Sequence, residues 1–139
     1  MSMQSLIEEI LRLKRFAVSG ASSNPEKVSN RLYRTLKDAG YIVYAVNPNA
    51  VRVDGDPSYP SLDTLPEPVD CLVTVTQPEV TEETIYLASR LHIPYVWMQP
   101  GSDSLSAENS ARASGIQSVS GGPCLLMTLQ SHYPSLTLR

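Results

Sequence analysis

Small and polar side chains follow the first apolar run of this sequence, at a position where proteins can bind a phosphate group. The run Phe16-Ala17-Val18 leads to Gly20, and a helical pattern begins around Glu26. The residues between them are Ala21, Ser22, Ser23, Asn24 and Pro25. A helix N-terminus offers unpaired N–H groups and a favourable dipole to an anion, and small side chains let the anion come close. Only Gly20 of the glycines in a G-x-G-x-x-G motif is present, so this stretch alone fits an ordinary capped turn equally well.

Composition and charge narrow the classes of partner. The 139 residues are 42% hydrophobic and carry a net charge of −3, with no block of Lys and Arg, so nucleic acid is not an expected ligand. The sequence has no run long enough to span a membrane and does not begin like a signal peptide. Cys71 and Cys124 are far apart in the sequence. Neither His92 nor His132 has a second His, Cys or carboxylate side chain at the spacing of metal ligands. We expect a reduced, cytoplasmic protein without a metal.

Strand and helix patterns alternate along the whole chain. Strand patterns cover residues 16–18, 41–46, 69–76, 93–98 and 116–119, and helical patterns cover 2–14, 26–39, 78–91, 104–114 and a short segment after 123. Residues 50–60 are predicted to form an extended loop with at most a short strand, and Ser61 to cap a single helical turn. This order predicts an α/β fold: a doubly wound, mostly parallel sheet of about five to six strands with helices on both faces in three layers.

The domain organisation follows from the same patterns. We expect a single domain over residues 1–139, with an N-terminal helix in 1–14 and a less ordered tail in 131–139. The N-terminal helix is predicted to pack on the sheet or against a partner chain. In the helix that begins at Pro78, the predicted buried stripe is Val80, Thr84, Leu87, Ala88 and Leu91.

Five polar loops are predicted to meet at one edge of the sheet. In a doubly wound sheet, ligands bind outside the carboxyl ends of the strands, at the point where the strand order reverses. The loops that follow the strands there are 20–25, 47–49, 76–78, 99–101 and 120–124, and each is small or polar and rich in Gly or Pro. Loops at strand ends commonly have this composition. Five of them on one edge nevertheless favour an extended polar ligand.

The residue at the end of the second strand separates two classes of nucleotide. A dinucleotide site uses Asp or Glu there to accept hydrogen bonds from the ribose hydroxyls. Here the position is Asn47, followed by Pro48, and the nearest Arg is Arg52. These residues disfavour NAD and NADP as ligands.

Four stretches together resemble a known family, and they lie within residues 14–125. They are Val18-Ser19-Gly20-Ala21-Ser22-Ser23-Asn24-Pro25, then Gly40-Tyr41 through Val46-Asn47-Pro48-Asn49, then Tyr59-Pro60-Ser61-Leu62 with Glu67-Pro68-Val69-Asp70, and Val96-Trp97-Met98-Gln99 with Gly101. In this order and spacing the sequence resembles the small stand-alone CoA-binding proteins. Their fold is shared with the CoA domain of the succinyl-CoA synthetase α subunit.

The resemblance implies a site for coenzyme A along the loops. It places the pyrophosphate beside Gly20 and on Ala21, Ser22, Ser23 and Asn24, with Pro25 closing the loop. It places the adenosine against Val46, Asn47 and Pro48, and the middle of the ligand beside Thr76, Gln77 and Pro78. Met98 and Gln99, with Gly101 next to them, would approach the pantetheine arm.

Three features depart from the pattern of these relatives. The synthetase subunit has a basic residue shortly after its second-strand proline, where this chain has Asn49 and Ala50, so charge for a 3′-phosphate would come from Lys27, Arg31 or Arg52. The end of the last strand reads Gly122-Pro123-Cys124, closer to the synthetase than to the stand-alone members. The domain that carries the synthetase's phosphohistidine has no counterpart in the sequence.

Three functions remain open from the sequence. The first is non-catalytic binding of CoA or acyl-CoA, as a sensor, carrier or partner subunit, because no Ser-His-Asp set, carboxylate pair or metal motif is visible. The second is an NAD(H)-binding redox sensor or oxidoreductase-like module. The third is an interaction protein with a vestigial nucleotide site, forming a homodimer or binding a partner through its N-terminal helix. Cys124 is a candidate nucleophile at a helix start, but a buried, unreactive role is favoured.

Overall fold

Strands and helices alternate as predicted in a computed structural model, which describes residues 2–136. The helices are α1 (Met3–Leu11), α2 (Val28–Asp38), α3 (Pro78–Arg90), α4 (Leu105–Ala113) and α5 (Leu125–His132). The strands are β1 (Arg15–Ser19), β2 (Ile42–Val46), β3 (Arg52–Val53), β4 (Asp56–Tyr59), β5 (Cys71–Thr74), β6 (Tyr95–Met98) and β7 (Gln117–Val119). A 3₁₀ turn spans Leu62–Thr64, and Ser61 caps it as predicted.

The strands form one sheet in the order β3-β4-β2-β1-β5-β6-β7. Every neighbouring pair is parallel except β3 and β4. β1 lies inside the sheet, with Val18 beside Ala45 of β2 on one side and beside Val73 of β5 on the other. The chain first extends the sheet through β2 and then returns to build β5, β6 and β7, so the order reverses between β1 and β5. The doubly wound fold is therefore confirmed.

A hairpin adds two strands that the sequence analysis did not resolve. The segment between β2 and the 3₁₀ turn forms β3 and β4, so the sheet has seven strands rather than five to six. Asp54 and Gly55 join them with φ of 51° and 81°, the positive values that a two-residue hairpin turn requires. The Tyr33 hydroxyl of α2 donates to the carboxylate of Asp56 at 2.7 Å, which fixes the hairpin to the domain. β4 is polar and contains Pro57, so its strand pattern is weak.

Helices cover both faces of the sheet, and alternate residues of each strand face different layers. Phe16 and Val18 pack in the cluster that contains residues of α1, α2 and α5, whereas Ala17 packs with residues of α3 and α4. Trp97 is fully buried in the first cluster, and its indole N–H donates to the carbonyl of Pro123 at 3.1 Å. The predicted three layers are thus present.

Several helix ends differ from their predicted positions. α2 begins at Val28 rather than near Glu26, since the N–H of Lys27 bonds to the carbonyl of Asn24 and closes a turn before the helix. α5 continues to His132, so the predicted tail from 131 begins inside a helix. Residues 137–139 of that tail, and Met1 of the predicted N-terminal helix, lie outside the described residues.

An ion pair lies at the opposite edge of the sheet from the polar loops. Arg15 Nε and Glu67 Oε1 are 2.8 Å apart, and the hydroxyl of Tyr44 donates to the other carboxylate oxygen. The hydrogen bond from Tyr44 and then the one from Arg15 lower the pKa of Glu67. Burial, followed by the bond to Glu67, raises the pKa of Tyr44 to about 12. This cluster connects β1, β2 and the segment before β5.

Candidate functional site

A cleft of about 390 Å³ opens at the carboxyl edge of the sheet, beside the point where the strand order reverses. Its floor is the end of β1, and its walls are the loops after β2 and β4 and one face of α3. The lining residues are Ser19, Gly20, Val46, Asn47, Pro48, Asn49, Pro60, Ser61, Leu62, Thr76, Gln77, Val80, Thr84 and Leu87. This is the position at which doubly wound folds bind ligands.

The backbone at the floor of the cleft requires a glycine at position 20. Its φ is +88°, and a Cβ built on it would lie 2.5 Å from the carbonyl oxygen of Val75 and 2.8 Å from Cγ2 of Thr76. Its N–H donates to the carbonyl of Val46 at 2.8 Å, so the turn after β1 is bonded to β2 as well. Only glycine combines this backbone conformation with such a close approach.

The loop after β1 shapes itself by internal hydrogen bonds. Ser22 receives the N–H of Asn24 on its hydroxyl, donates its own N–H to the Ser29 hydroxyl and accepts from the Asn30 amide, all within 3.0 Å. Ala21 is fully buried. The predicted residues Ala21, Ser22, Ser23, Asn24 and Pro25 lie beyond Gly20 and do not line the cleft itself.

Two helices that start at this edge have no side-chain cap. Lys27 and Gln77 are the N-cap residues of α2 and α3, and neither side chain bonds to the first turn of its helix. In contrast, Ser2 and Ser104 cap α1 and α4 through their hydroxyls. An uncapped N-terminus retains its attraction for an anion. The N-terminus of α2 therefore leaves N–H groups with a favourable dipole beside the loop after β1.

Asn47 holds two of the loops together. Its Nδ2 donates to the carbonyl of Ala21 at 2.8 Å, and its Oδ1 accepts the N–H of Asn49 at 2.9 Å. A carboxylate at this position could accept the second bond but could not donate the first. From the sequence, Asn47 is a residue that separates two classes of nucleotide and lies against the adenosine; in the structure its amide also joins two loops.

The wall formed by α3 corrects the predicted buried stripe. Thr81, Ile85 and Ala88 are the buried residues of α3. Val80, Thr84 and Leu87 instead line the cleft, and Leu91 is 39% exposed. The predicted stripe combined two adjacent faces of one helix, because two of the cleft-facing residues, Val80 and Leu87, are apolar too. Pro78 occupies the first turn of α3 as predicted, and Thr76 and Gln77 line the cleft.

The structure does not bring the last predicted group of residues to the cleft. Met98 is fully buried in the cluster with α3 and α4 residues, so its side chain cannot reach a ligand in this conformation. Gln99 is 3% exposed, and its Oε1 accepts the N–H of Leu125 at 2.6 Å and so caps α5. Gly101 follows in a turn with φ of +91°. The sequence does not distinguish an apolar residue at a strand end, such as Met98, or a loop amide, such as Gln99, that packs in the core from one that contacts a ligand.

Cys124 lies outside the cleft, at the start of α5. The sequence favoured a buried role, but Cys124 is only half-buried, and its Sγ is 3.4 Å from Nε2 of Gln99. It borders a groove between α1 and α5 together with Glu8 and His132. Cys71 is fully buried, and this burial raises the pKa of its thiol.

One wall of the cleft was not predicted from the sequence. Pro60, Ser61 and Leu62 line it because β4 pairs in parallel with β2, so the two strands end at the same edge. Ser19 and Asn49, which also line it, were not predicted as site residues. The available signal was the capped turn at Ser61, which places a chain reversal directly after β4.

Two other features are absent from the part of the chain that the structure describes. Within residues 2–136, no group of three or more His, Cys, Asp or Glu side chains is placed to hold a metal ion. Over the same residues, no helix has the length and apolar character needed to cross a membrane.

The doubly wound sheet, with an uncharged cleft at its reversal point and helix N-termini beside it, defines a nucleotide-binding type of α/β domain. The particular family follows from comparison with family models. Residues 14–130 match the CoA binding domain family, and the chain belongs to it.

Individual relatives agree with this assignment. The sequence is 33% identical over 100 residues to the uncharacterized protein YneT of Bacillus subtilis. The matched region covers 68% of this chain and 71% of YneT. It is 34% identical over 79 residues to acetate–CoA ligase [ADP-forming] I of Archaeoglobus fulgidus, matching 57% of this chain and 12% of the ligase. A conserved hypothetical protein from Pyrococcus furiosus superposes with a TM-score of 0.77 at 31% identity, over 83% of this chain and 98% of that one. This chain thus spans about an eighth of the ligase and most of the two small proteins.

Proposed function

We propose that this protein binds coenzyme A or an acyl-CoA at the cleft without catalysing a reaction on it, as a sensor, carrier or partner subunit. The observation that carries the proposal is the cleft at the reversal point of the sheet, floored by Gly20, in a chain of the CoA binding domain family. The ligase relative contains the matching segment within a much longer chain, which supports the partner-subunit form.

The lining of the cleft is suited to the adenosine half of this ligand. Val46 and Pro48 offer apolar surface on one side, and Leu87 offers it on the other. Apolar side chains with a few convergent polar groups are typical of small-molecule sites. We assign the adenosine to this part of the cleft and the middle of the ligand to Thr76 and Gln77.

The pyrophosphate is assigned to the loop after β1. The uncapped start of α2, with Lys27 as its N-cap residue, supplies N–H groups and positive potential there. The internal bonds of Ser22 hold the loop open in this shape before any ligand arrives. A preformed loop reduces the entropy that binding must overcome.

Binding rather than catalysis is supported by the chemistry of the lining. The polar groups there are hydroxyls and amides, such as those of Ser61, Thr76 and Gln77. These groups orient a ligand through hydrogen bonds, but they do not exchange protons near neutral pH as general acids or bases do.

NAD(H) binding is the second candidate, and the geometry of Asn47 bears on it. Its Nδ2 joins two loops through the carbonyl of Ala21 at 2.8 Å, and its Oδ1 accepts the N–H of Asn49 within its own loop at 2.9 Å. The position therefore offers no carboxylate to accept hydrogen bonds from both ribose hydroxyls, as a dinucleotide site does. We therefore expect NAD to bind more weakly than CoA.

An interface through α1 is the third candidate. Met3 is 43% exposed, and the groove between α1 and α5 exposes Met127 to 68%. We propose that a homodimer or a partner protein, in the cytoplasm, would use this side. Light scattering would give a dimer mass for the full chain and a monomer mass for Met127→Glu; identical masses would exclude this dimer.

Thermal unfolding with CoA, acetyl-CoA, NAD and ATP tests the proposal. A ligand at 100 times its Kd stabilises the folded state by about 2.7 kcal/mol, which raises Tm by several degrees for a domain of this size. We expect this shift with CoA and acetyl-CoA. No shift with either, confirmed by flat titration calorimetry at millimolar ligand, would refute CoA binding.

A pair of variants locates the site. Val80→Glu puts a carboxylate at the wall of the cleft, on a side chain that is already 44% exposed. Leu105→Glu makes a comparable change at the start of α4, on a side chain that is 73% exposed and outside the lining. We expect Val80→Glu to weaken CoA binding and Leu105→Glu to leave it unchanged. Equal effects would place the ligand elsewhere.

A further inference from the structure

We propose that this cleft makes no charged contact with the 3′-phosphate of its ligand, so that CoA and dephospho-CoA bind with similar affinity. The inference rests on the proposed function and defines the ligand class as an adenosine diphosphate joined to pantetheine, with or without the extra phosphate. It follows from the charge of the cleft and from the partners of the cations around it.

The groups that line the cleft are all uncharged. Among the described residues that form its walls, the side chains are hydroxyls, amides and apolar groups. Proteins that select a phosphate monoester supply Arg or Lys, whose charge-assisted hydrogen bonds are about twice as strong as neutral ones. Asn49 is the lining residue after Pro48, and it offers only an amide.

Two cations near this end of the sheet are already bonded elsewhere. Arg52 donates to the carbonyl of Gly55 at 3.1 Å within its own hairpin. Arg34 donates to the carbonyl of Pro25 at 3.0 Å. Redirecting either of these to a ligand would forfeit a bond that the protein makes without it.

Two other cations lie in the layer across the sheet from the cleft. Lys27 and Arg31 belong to the start of α2, which packs with α1 and α5, whereas α3 and the 3₁₀ turn form the cleft walls. Their charge acts on the loop after β1, where the pyrophosphate is assigned. CoA and dephospho-CoA carry the same pyrophosphate, so this attraction does not distinguish between them.

Calorimetric titration of CoA and dephospho-CoA in parallel tests the inference. An exposed charge pair contributes little, so we expect the two Kd values to agree within about fivefold. If a cation of the protein instead contacted the 3′-phosphate directly, dephospho-CoA would bind about tenfold or more weakly than CoA. That larger ratio would overturn the inference while leaving CoA binding intact, whereas binding of neither ligand would refute the proposed function.

Variants provide the matched comparison. Asn49→Arg adds a guanidinium to the lining and is expected to raise the preference for CoA to about tenfold, with Asn49→Gln as the neutral control. Lys27→Gln and Arg52→Gln are expected to leave the ratio of the two Kd values unchanged. A selective loss of CoA affinity in either of these variants would show that a cation from outside the cleft reads the 3′-phosphate, and would overturn the inference.

Discussion

Replacing Gly20 with alanine tests whether the floor of the cleft is rigid. The added methyl would lie 2.5 Å from the carbonyl oxygen of Val75, which is well inside van der Waals contact. That oxygen belongs to the backbone directly after β5, so it cannot rotate away as a flexible side chain would. The residue must also keep a φ near +88°, which residues with a Cβ adopt only with strain.

The expected loss of stability in Gly20→Ala has two parts. Holding alanine at positive φ costs about 1–2 kcal/mol, and forcing a methyl into packed structure adds about 1–3 kcal/mol. We therefore expect Gly20→Ala to lower the free energy of unfolding by about 2–5 kcal/mol. Natural domains are stable by only about 5–15 kcal/mol, so the loss is large enough to measure and small enough to leave folded protein.

Gly101 provides a control for the conformational part. Its φ is +91°, nearly that of Gly20, and a Cβ there would meet nothing within 4 Å. Gly101→Ala should therefore carry the strain of positive φ without the collision. The difference between the two variants should be about 1–3 kcal/mol.

Urea unfolding followed by fluorescence measures both variants. Trp97 is the only tryptophan and is fully buried, so its emission reports loss of the core. The midpoints should fall in the order wild type, Gly101→Ala, Gly20→Ala, with similar m-values. If the two alanine variants lose the same stability, the close approach to Val75 is not a constraint and the account of Gly20 is wrong.

Three further predictions concern other groups. Asn47→Asp leaves the carbonyl of Ala21 without its donor and should lower the free energy of unfolding by about 1–3 kcal/mol at neutral pH; an unchanged urea midpoint would contradict this. The pKa of Glu67 is lowered by its phenol and guanidinium partners, so its stabilising effect should be present at neutral pH and lost as pH falls through that pKa; the stability difference between wild type and Glu67→Gln should shrink in acid, and a constant difference would refute the linkage. A disulfide reagent should titrate Cys124 in the folded protein and Cys71 only after unfolding; two reactive thiols in the native state would disagree with the burial of Cys71.

Much of the fold could be predicted because each pattern was locally complete. Phe16-Ala17-Val18 is a continuous apolar run followed by a turn and a helix, and that order by itself implies a buried parallel strand. Pro78 and Ser104 mark two helix starts through chemistry that depends only on neighbouring residues. The β3–β4 hairpin was missed because its residues are polar, and only pairing with β2 makes Asp56–Tyr59 a strand.

The candidate site was predicted in part, for the same reason. Gly20, Asn47 and Thr76 end or follow strands of one parallel sheet, so they must reach the same edge once the sheet is doubly wound. Their presence in the cleft follows from order along the chain. Met98 shares that order, but its direction depends on which face of β6 it occupies, and it lies in the core.

The sequence by itself determined the alternation of elements and the edge of the sheet at which the small and polar loops meet, because these depend on local conformation, periodicity and the order of elements along the chain. Only the tertiary structure decided which face of α3 borders the cleft and that Ser61 and Leu62 form one of its walls. It also decided that Gln99 caps α5. Amides and apolar side chains carry no mark of their partner in the sequence; whether they contact core, backbone or ligand is set by distances between segments that are far apart along the chain.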